Sequence, residues 1–470
     1  MSTARTSGAS TEGRGSLRTV EGRYLVTLAG TQSSSGFALD ATMGAVRTLV
    51  TTAGGTIASD LSRQIGVLVV QSSAASFLSI LQASPLVDSV GQDFGVKMYA
   101  DAPDTTDDPL EPLQWDMQQI RTDEAHETQA GIPGVDVGVL DSGIDGRHAD
   151  FTKGGTSNVD CARGRDSLTV LPPGVAVGTP DPCTDNQFHG THVAGTIGAR
   201  ANGLGIVGVA PNVTMVPVKV CDSTGYCYAS PVVDGITYSG DQQLDVINMS
   251  FFVDDNAFQE STEFKCSSDP TQRTFRQAVE RAIAYARQRG VTPVAALGNS
   301  DQDLAHPVDD DGQPISNECE VVPAETQGVV GTVSLGRDSE KASYSNYGSG
   351  QADVSAPGGN GSTGDCTTTI LSTFPGGGYV CIQGTSMASP HAAGVAALLV
   401  SQFGRLGADG DVKMSPQDVE SRLQRTAVDI GAPGYDECFG NGRIDALRAV
   451  TGDTTALRDE AAPDCPEYQE

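Results

Sequence analysis

The stretch VDVGVLDSGIDG, residues 135–146, decides the fold of this sequence. Val135, Val137, Val139 and Leu140 form an almost unbroken apolar run of strand length, closed by Asp141 and a Ser-Gly turn. A strand that is apolar on both faces belongs in a sheet covered on both sides, and such sheets collect reactive side chains at the carboxyl ends of their strands. Outward from it, apolar runs at 214–220, 246–249, 292–296 and 329–333 alternate with helical spacing at 192–199, 275–289, 389–402 and 415–427. That alternation predicts an α/β protein, a mainly parallel sheet with helices on both faces.

Upstream the texture differs. Residues 1–21 are rich in Ser, Thr, Gly and Arg and read as a disordered leader. Strand patterns at 24–28, 66–70 and 87–90, a weaker one at 56–58 and helical spacing at 38–53 and 74–83 follow. Together they predict a small α+β module of the β-α-β-β-α-β, ferredoxin-like kind over 22–99. An acidic, Pro-rich linker spans 101–112, the main domain runs over 100–452, and 453–470 is an acidic tail held by Cys465.

The chain has 470 residues, with 56 Gly, 24 Pro and a single Trp, which predicts many tight turns and a core of small aliphatic residues. A net charge of −30 repels phosphate backbones and anionic lipid, which argues against a nucleic-acid or membrane-surface partner. The best apolar stretch, 392–400, is far short of the ~18 residues of a spanning helix. All 10 Cys lie between Cys161 and Cys465, and none forms a CxxC pair. Cys161/Cys183, Cys221/Cys227, Cys366/Cys381 and Cys438/Cys465 are close in sequence, leaving Cys266 and Cys319; connectivity stays open, but disulfides in an oxidising, extracellular compartment are expected. The first 30 residues hold Arg5, Arg14, Arg18 and Arg23 without an apolar core, so no signal peptide of the usual kind is visible.

Three segments carry chemistry. Asp141 ends the quoted strand, His189 opens FHGTHVAGTIGA (188–199), and Ser386 lies in GTSMASPHAAGVAALL (384–399) at the start of an apolar helix. A serine attacks an acyl carbon only if a base takes its proton, and that base needs a carboxylate to hold its tautomer and stabilise the imidazolium. Asp, His and Ser occur in that order, 48 and 197 residues apart. A helix start also aims free N–H groups at any oxyanion formed beside the serine. Singly, each residue has a plainer reading: Asp141 with Asp145 as a metal or phosphoryl site, His189 and His192 as capping and core residues, Ser386 as a helix cap.

Jointly the segments are far more specific, and the chain resembles the subtilisin-like serine peptidases (subtilases) from about residue 115 to 450. GVAPNVTMVPVKV (208–220), DVINMS (245–250), PVAALGNS (293–300), VVPAETQGVVGTV (321–333), ASYSNYG (342–348) and SAPGG (355–359) fall in the family's order. The resemblance implies a serine endopeptidase with Ser386 as nucleophile, His189 as general base and acid, and Asp141 as orienting carboxylate. It makes His192 structural and places the Asn299 amide beside the Ser386 N–H in an oxyanion hole. A polypeptide substrate then adds as a strand between Gly225-Tyr226-Cys227 on one side and Ser250-Phe251-Phe252 on the other, with Gly298 nearby. Where the family has a small turn, this chain has two Phe and an insertion to about residue 274; Phe251 and Phe252 either shape the substrate pockets or anchor that insertion. Catalysis needs no cofactor. The resemblance further implies a structural calcium held by Asp150, Asn202 and Glu111, with a solvated loop as the alternative. Module 22–99 resembles the inhibitory propeptide of these enzymes, with an unrelated ferredoxin-like binding module as the alternative; the resemblance implies a self-processed zymogen cut after Tyr99, with Ala100 the near alternative, and a secreted monomer is expected. Rival readings are a narrow-specificity processing peptidase or transpeptidase on the same site, and a non-catalytic binding protein on this scaffold.

Overall fold

The structure is a computed structural model and describes residues 17–29, 37–97, 111–251, 270–308, 314, 321–407 and 412–465. The N-terminal module comprises β1 (Leu17–Leu28), α1 (Phe37–Thr52), β2 (Gly55–Leu61), β3 (Val67–Ser72), α2 (Phe77–Gln82) and β4 (Val87–Lys97). Its strands pair antiparallel in the order β4-β1-β3-β2. Val26, Leu28, Val46, Val50, Leu68, Val70 and Phe77 form its own core.

The main body then lays down α3 (Trp115–Gln119), β5 (Asp136–Asp141), β6 (Arg165–Asp166), α4 (His189–Gly198), β7 (Thr214–Lys219), β8 (Tyr226–Tyr228) and α5 (Ala229–Asp241). It continues through β9 (Val246–Met249), α6 (Pro270–Gln288), β10 (Thr292–Ala296), β11 (Val330–Leu335) and β12 (Val354–Pro357). β13 (Ile370–Phe374), β14 (Gly378–Ile382), α7 (Thr385–Phe403) and α8 (Pro416–Thr426) follow. Seven parallel strands run in the order β12-β11-β10-β9-β5-β7-β6, the α/β sheet expected. Successive side chains of a strand point to opposite faces. Accordingly Val137 and Val139 pack with Val193, Ile197 and Leu398 under α4 and α7, while Leu140 packs with Val233, Ile247 and Ile283 under α5 and α6. The chain places β7 on one side of β5 and β9 on the other. Strand order therefore reverses at β5, and the crevice this opens lies at its carboxyl end, where Asp141 stands.

Several boundaries differ from the sequence reading. β1 begins at Leu17, inside the stretch read as disordered, because Leu17, Arg18 and Thr19 pair with Val96, Gly95 and Phe94. β4 runs on to Lys97 because it gains a partner on its other side: β8 of the main body pairs with it antiparallel. The charge and glycines of 91–95 hide that strand from a pattern of apolar alternation. Helix α6 starts at Pro270, so the end of the stretch read as an insertion is already helical, with proline at a position that needs no N–H. The acidic tail is tied back through Cys465, which is bonded to Cys438, and Asp429 N–H donates to the Leu457 carbonyl at 2.9 Å. Cys161–Cys183, Cys221–Cys227 and Cys366–Cys381 are likewise joined, whereas Cys266 and Cys319 lie outside the described residues.

The module is seated on α5 and α6. Phe94 meets Phe275 edge to face, ring centroids 5.0 Å apart, Ser89 Oγ donates to Gln277 Oε1 at 2.6 Å, and Arg281 binds Asp88 at 2.8 Å. Asp93, fully buried, accepts hydrogen bonds from Ser230 N–H, at 2.9 Å, and from the Ser230 hydroxyl in the first turn of α5. Positive partial charge at a helix start favours a carboxylate there. Burial nonetheless pushes the Asp93 carboxyl up to about 6, with the Ser230 donors and Arg23 only partly offsetting it. A group whose pKa is raised on docking holds the module most firmly below its free value of 3.8 and loses that contribution as pH rises through about 6. We expect hydrogen-exchange protection of the β4–β8 amides, corrected for intrinsic exchange, to fall roughly a hundredfold between pH 4 and 7. In Asp93→Asn that slope should vanish; an unchanged slope assigns it to other groups.

Candidate active site

Asp141 closes β5 with its carboxylate fully buried. Both carboxylate oxygens lie 3.0 Å from His189 Nδ1, and Oδ1 also accepts from Ser142 N–H at 2.7 Å. The two oxygens fix the tautomer, with the proton on Nδ1 and Nε2 left as a base. Burial pulls the imidazole pKa down, but the Asp141 charge and hydrogen bond, with Asp185 behind them, outweigh it and hold it above the ordinary value.

Bringing α4 this close to β5 makes demands on the backbone. A Cβ at Gly190 would stand 2.1 Å from the Gly143 carbonyl oxygen and 3.0 Å from Asp141 Cβ, so only glycine fits after His189. Phe188, just before it, sits at φ 110, an outlier for a bulky residue, with its ring stacked on Phe374 at 5.5 Å. Asp185 over-determines the turn. Its carboxylate accepts from Gln187 N–H and Phe188 N–H at 2.9 Å, from Thr191 N–H at 2.9 Å and from Thr191 Oγ1 and Ser142 Oγ at 2.6 and 3.0 Å. Sequence reasoning passed over Asp185, although an Asp shortly before an apolar-periodic run is a helix-start signal. His192, one turn on, points elsewhere: Nε2 lies 3.1 and 3.2 Å from the carbonyls of Ile370 and Val380, and burial lowers its pKa to about 3, so it stays neutral.

Ser386 lies in the first turn of α7, where backbone N–H groups have no intrahelical acceptor. Its Oγ donates to the Ser250 carbonyl at 3.0 Å, and among the described residues no hydrogen bond joins it to His189. Ser250 Oγ in turn donates to the Ser386 carbonyl at 2.8 Å. Asn299 follows β10. Its Oδ1 accepts from Thr385 N–H and Oγ1 at 3.0 and 2.8 Å, which fixes the amide and leaves Nδ2 beside Gly384, 3.6 Å from where a Cβ there would be. Thr385, not singled out from sequence, thus sets Asn299's orientation. Behind α7, His391 bridges the Met387 carbonyl at 2.8 Å and Asp116 at 2.9 Å, a buried pair tying α3 to the serine's helix.

The other expected site residues scatter. Gly225, at φ 83, makes the turn into β8, and Tyr226 and Cys227 lie on the edge strand that receives β4. Phe251 is buried in the same apolar core as Phe275 and Leu297. Gly298 is held between a Thr385 Oγ1 contact at 3.2 Å and Asn346 N–H at 2.9 Å; Phe252 lies outside the described residues. Two of the expected calcium ligands, Asp150 and Asn202, lie close together, Asn202 bonding the carbonyl of the residue before Asp150. Asp150 Oδ2 accepts from Ile206 N–H at 2.9 Å with the Tyr379 hydroxyl against it, Asn202 Oδ1 accepts from Leu204 N–H, and Asn202 Nδ2 donates to the carbonyls of Ala149 and Thr152. The Glu111 side chain is outside what is described, and among the described residues no three acidic, His or Cys side chains converge.

Against known proteins, residues 133–442 match the model of the subtilase family. Subtilisin NAT of Bacillus subtilis subsp. natto is 30% identical over 371 residues, 79% of this chain and 77% of that protein. Subtilisin of Bacillus pumilus is 31% identical over 72% of this chain and 98% of its own length. Among solved structures, the epidermin leader peptide processing serine protease of Staphylococcus aureus superposes with a TM-score of 0.68 at 20% identity, over 93% of this chain and 100% of that one. A lanthipeptide protease gives 0.58 at 25% identity, over 73% and 94%. With the Asp141–His189 pair at the carboxyl end of β5 and the serine helix beside it, these matches place the chain in the subtilase family, as a serine-type endopeptidase acting on polypeptides.

Proposed function

We propose that this peptidase is made as a zymogen, cuts itself after Tyr99, and then hydrolyses extended polypeptides through an acyl-enzyme on Ser386. One observation carries the zymogen reading: β4 adds antiparallel to the edge strand β8, pairing Lys97, Val96 and Gly95 with Tyr226, Cys227 and Tyr228. Strand addition is how such an edge reads a substrate backbone. The paired segment ends two residues before Tyr99, which itself lies outside the described residues. Module 22–99 is then the inhibitory propeptide, and the acidic stretch from Asp101 becomes the freed N-terminus. Four disulfides support an oxidising, extracellular setting.

In the reaction, the Ser386 hydroxyl leaves the Ser250 carbonyl and gives its proton to His189 Nε2 as Oγ attacks the scissile carbonyl carbon. Asp141 stabilises the imidazolium without taking its proton. The new oxyanion is met by Ser386 N–H and Asn299 Nδ2, donors set in place before charge develops. His189 then protonates the leaving amine, which departs with the acyl group left on Ser386. Water, deprotonated by the same imidazole, attacks the ester, and the proton returns to Oγ. A second, narrower reading, a processing peptidase, is supported by the name of the Staphylococcus aureus structure alongside the close fit of β4 on β8.

Ser386→Ala should accumulate as an uncut chain and fail to react with a fluorophosphonate; normal processing in that variant, purified free of other proteases, sinks the assignment. In the wild type, N-terminal sequencing should find Ala100. Asn299→Ala should lower kcat by ~10²–10³ with KM little changed, because its donor serves the transition state. Since the imidazole must be neutral to act, the raised His189 pKa puts the acidic limb of kcat/KM above pH 6.5. Asp141→Asn should move that limb to lower pH and cut kcat by ~10⁴; a limb that stays in place means another group titrates there.

A further inference from the structure

Where β4 crosses β8, Gly95 lies directly opposite Tyr228. A Cβ at position 95 would stand 2.7 Å from Tyr228 Cδ1, 3.0 Å from Cε1 and 3.1 Å from Cγ, so the ring occupies the space a side chain would take. Contacts of this kind are relieved cheaply only if the ring turns, and it is held. Its hydroxyl donates to Asp222 Oδ2 at 3.1 Å, with the Val175 carbonyl at 3.4 Å, and Leu168 and Leu171 pack around it. Asp222 is fixed in turn, accepting from Thr224 N–H at 2.9 Å, Thr224 Oγ1 at 2.6 Å and Val177 N–H at 3.2 Å. The Cys221–Cys227 disulfide closes the same hairpin. All these groups belong to the main body and stay when the module leaves. Next to Gly95, buried Phe94 anchors the register through Phe275. Glycine in a strand is ordinarily a weak point, recovered when an aromatic ring on the neighbouring strand covers it.

We propose that Tyr228 is a specificity-determining residue, which makes this peptidase select extended polypeptides with glycine at the fifth residue before the scissile bond. The inference rests on the preceding reading, in which substrates lie along β8 as β4 does and the bond follows Tyr99. Tyr228 rejects side chains there by overlap rather than by reading a chemical group, so the penalty grows with side-chain size.

The test uses the full chain, allowed to mature, and peptides copying residues 92–105 with Gly, Ala or Val at the place of Gly95. The wild type should cleave the Ala peptide with at least about tenfold lower kcat/KM than the Gly peptide, and the Val peptide more slowly still. Tyr228→Phe, which keeps the ring, should retain the order; Tyr228→Ala should cleave the Gly and Ala peptides alike. Equal cleavage of all three by the wild type overturns the proposal, as does an unchanged preference in Tyr228→Ala. Should Tyr228→Ala not fold, the graded Gly, Ala, Val series in the wild type and in Tyr228→Phe decides, a flat series overturning it. Cleavage of any peptide by Ser386→Ala would instead overturn the reading of the site, whatever the preference at this position.

Discussion

The buried contact between the Asp141 carboxylate and His189 Nδ1 constrains the whole carboxyl edge of the sheet. A carboxylate with no exposure is costly unless its oxygens are met, and here His189 and Ser142 N–H meet them. The strand can present Asp141 only at its end. The histidine must therefore come from a helix that starts against that end, with its backbone almost touching the strand. Hence the glycine at 190, whose N–H donates to Ser142 Oγ, and the strained Phe188, pinned by the Asp185 carboxylate that also holds Thr191. Strain of this kind persists only where surrounding bonds over-determine it.

The opposite wall of the crevice solves a different problem, how to hold a serine and an amide still without filling the space between them. α7 is buried through its first sixteen residues, Thr385 to Val400, and its Ala and Gly content lets the sheet and α4 approach on all sides. A helix fixed that firmly cannot drift, so a residue in its first turn inherits its position. Thr385 passes the same rigidity to Asn299 through two hydrogen bonds, and His391 with Asp116 clamps the helix from behind. Ser386 needs only a side-chain rotation to leave the Ser250 carbonyl, the one soft coordinate in an otherwise fixed arrangement.

How much of this the sequence disclosed depended on whether the physical cause was local. The strand at 135–140 and its terminal Asp141 were legible because burial on both faces writes an uninterrupted apolar run. His189 and Ser386 were legible through their segments and family resemblance, and the close cysteine pairs suggested the four observed bonds. The extension of β1 to Leu17 and of β4 to Lys97 was not, since each exists only because a distant strand pairs with it. Thr385 and Asp116 were missed for the same reason: their partners, Asn299 and His391, lie far away in the chain. Asp150 and Asn202 come together as expected, but the contact of Asp150 with the Tyr379 hydroxyl was not foreseen, because Tyr379 comes from a hairpin no local pattern connects to that loop.

The edge strand β8 shows how one rigid element serves two ends. A tail that must lie across the crevice needs backbone pairing to hold its direction, and antiparallel pairing supplies that whatever the side chains are. Pairing alone leaves register free, because a slip along the edge keeps most of the hydrogen bonds. Phe94 in its aromatic contact and Asp93 at the start of α5 remove that freedom from one side, and the ring of Tyr228 removes it from the other by admitting only Gly95. Three consecutive residues, one charged, one large and one absent of side chain, therefore fix the register of β4 on β8. The same hairpin, stapled by Cys221–Cys227 and laced through Asp222, is rigid enough to make that choice without the module's help. On the proposed reading, selection of the first bond to be cut and selection among later substrates become one property of one strand.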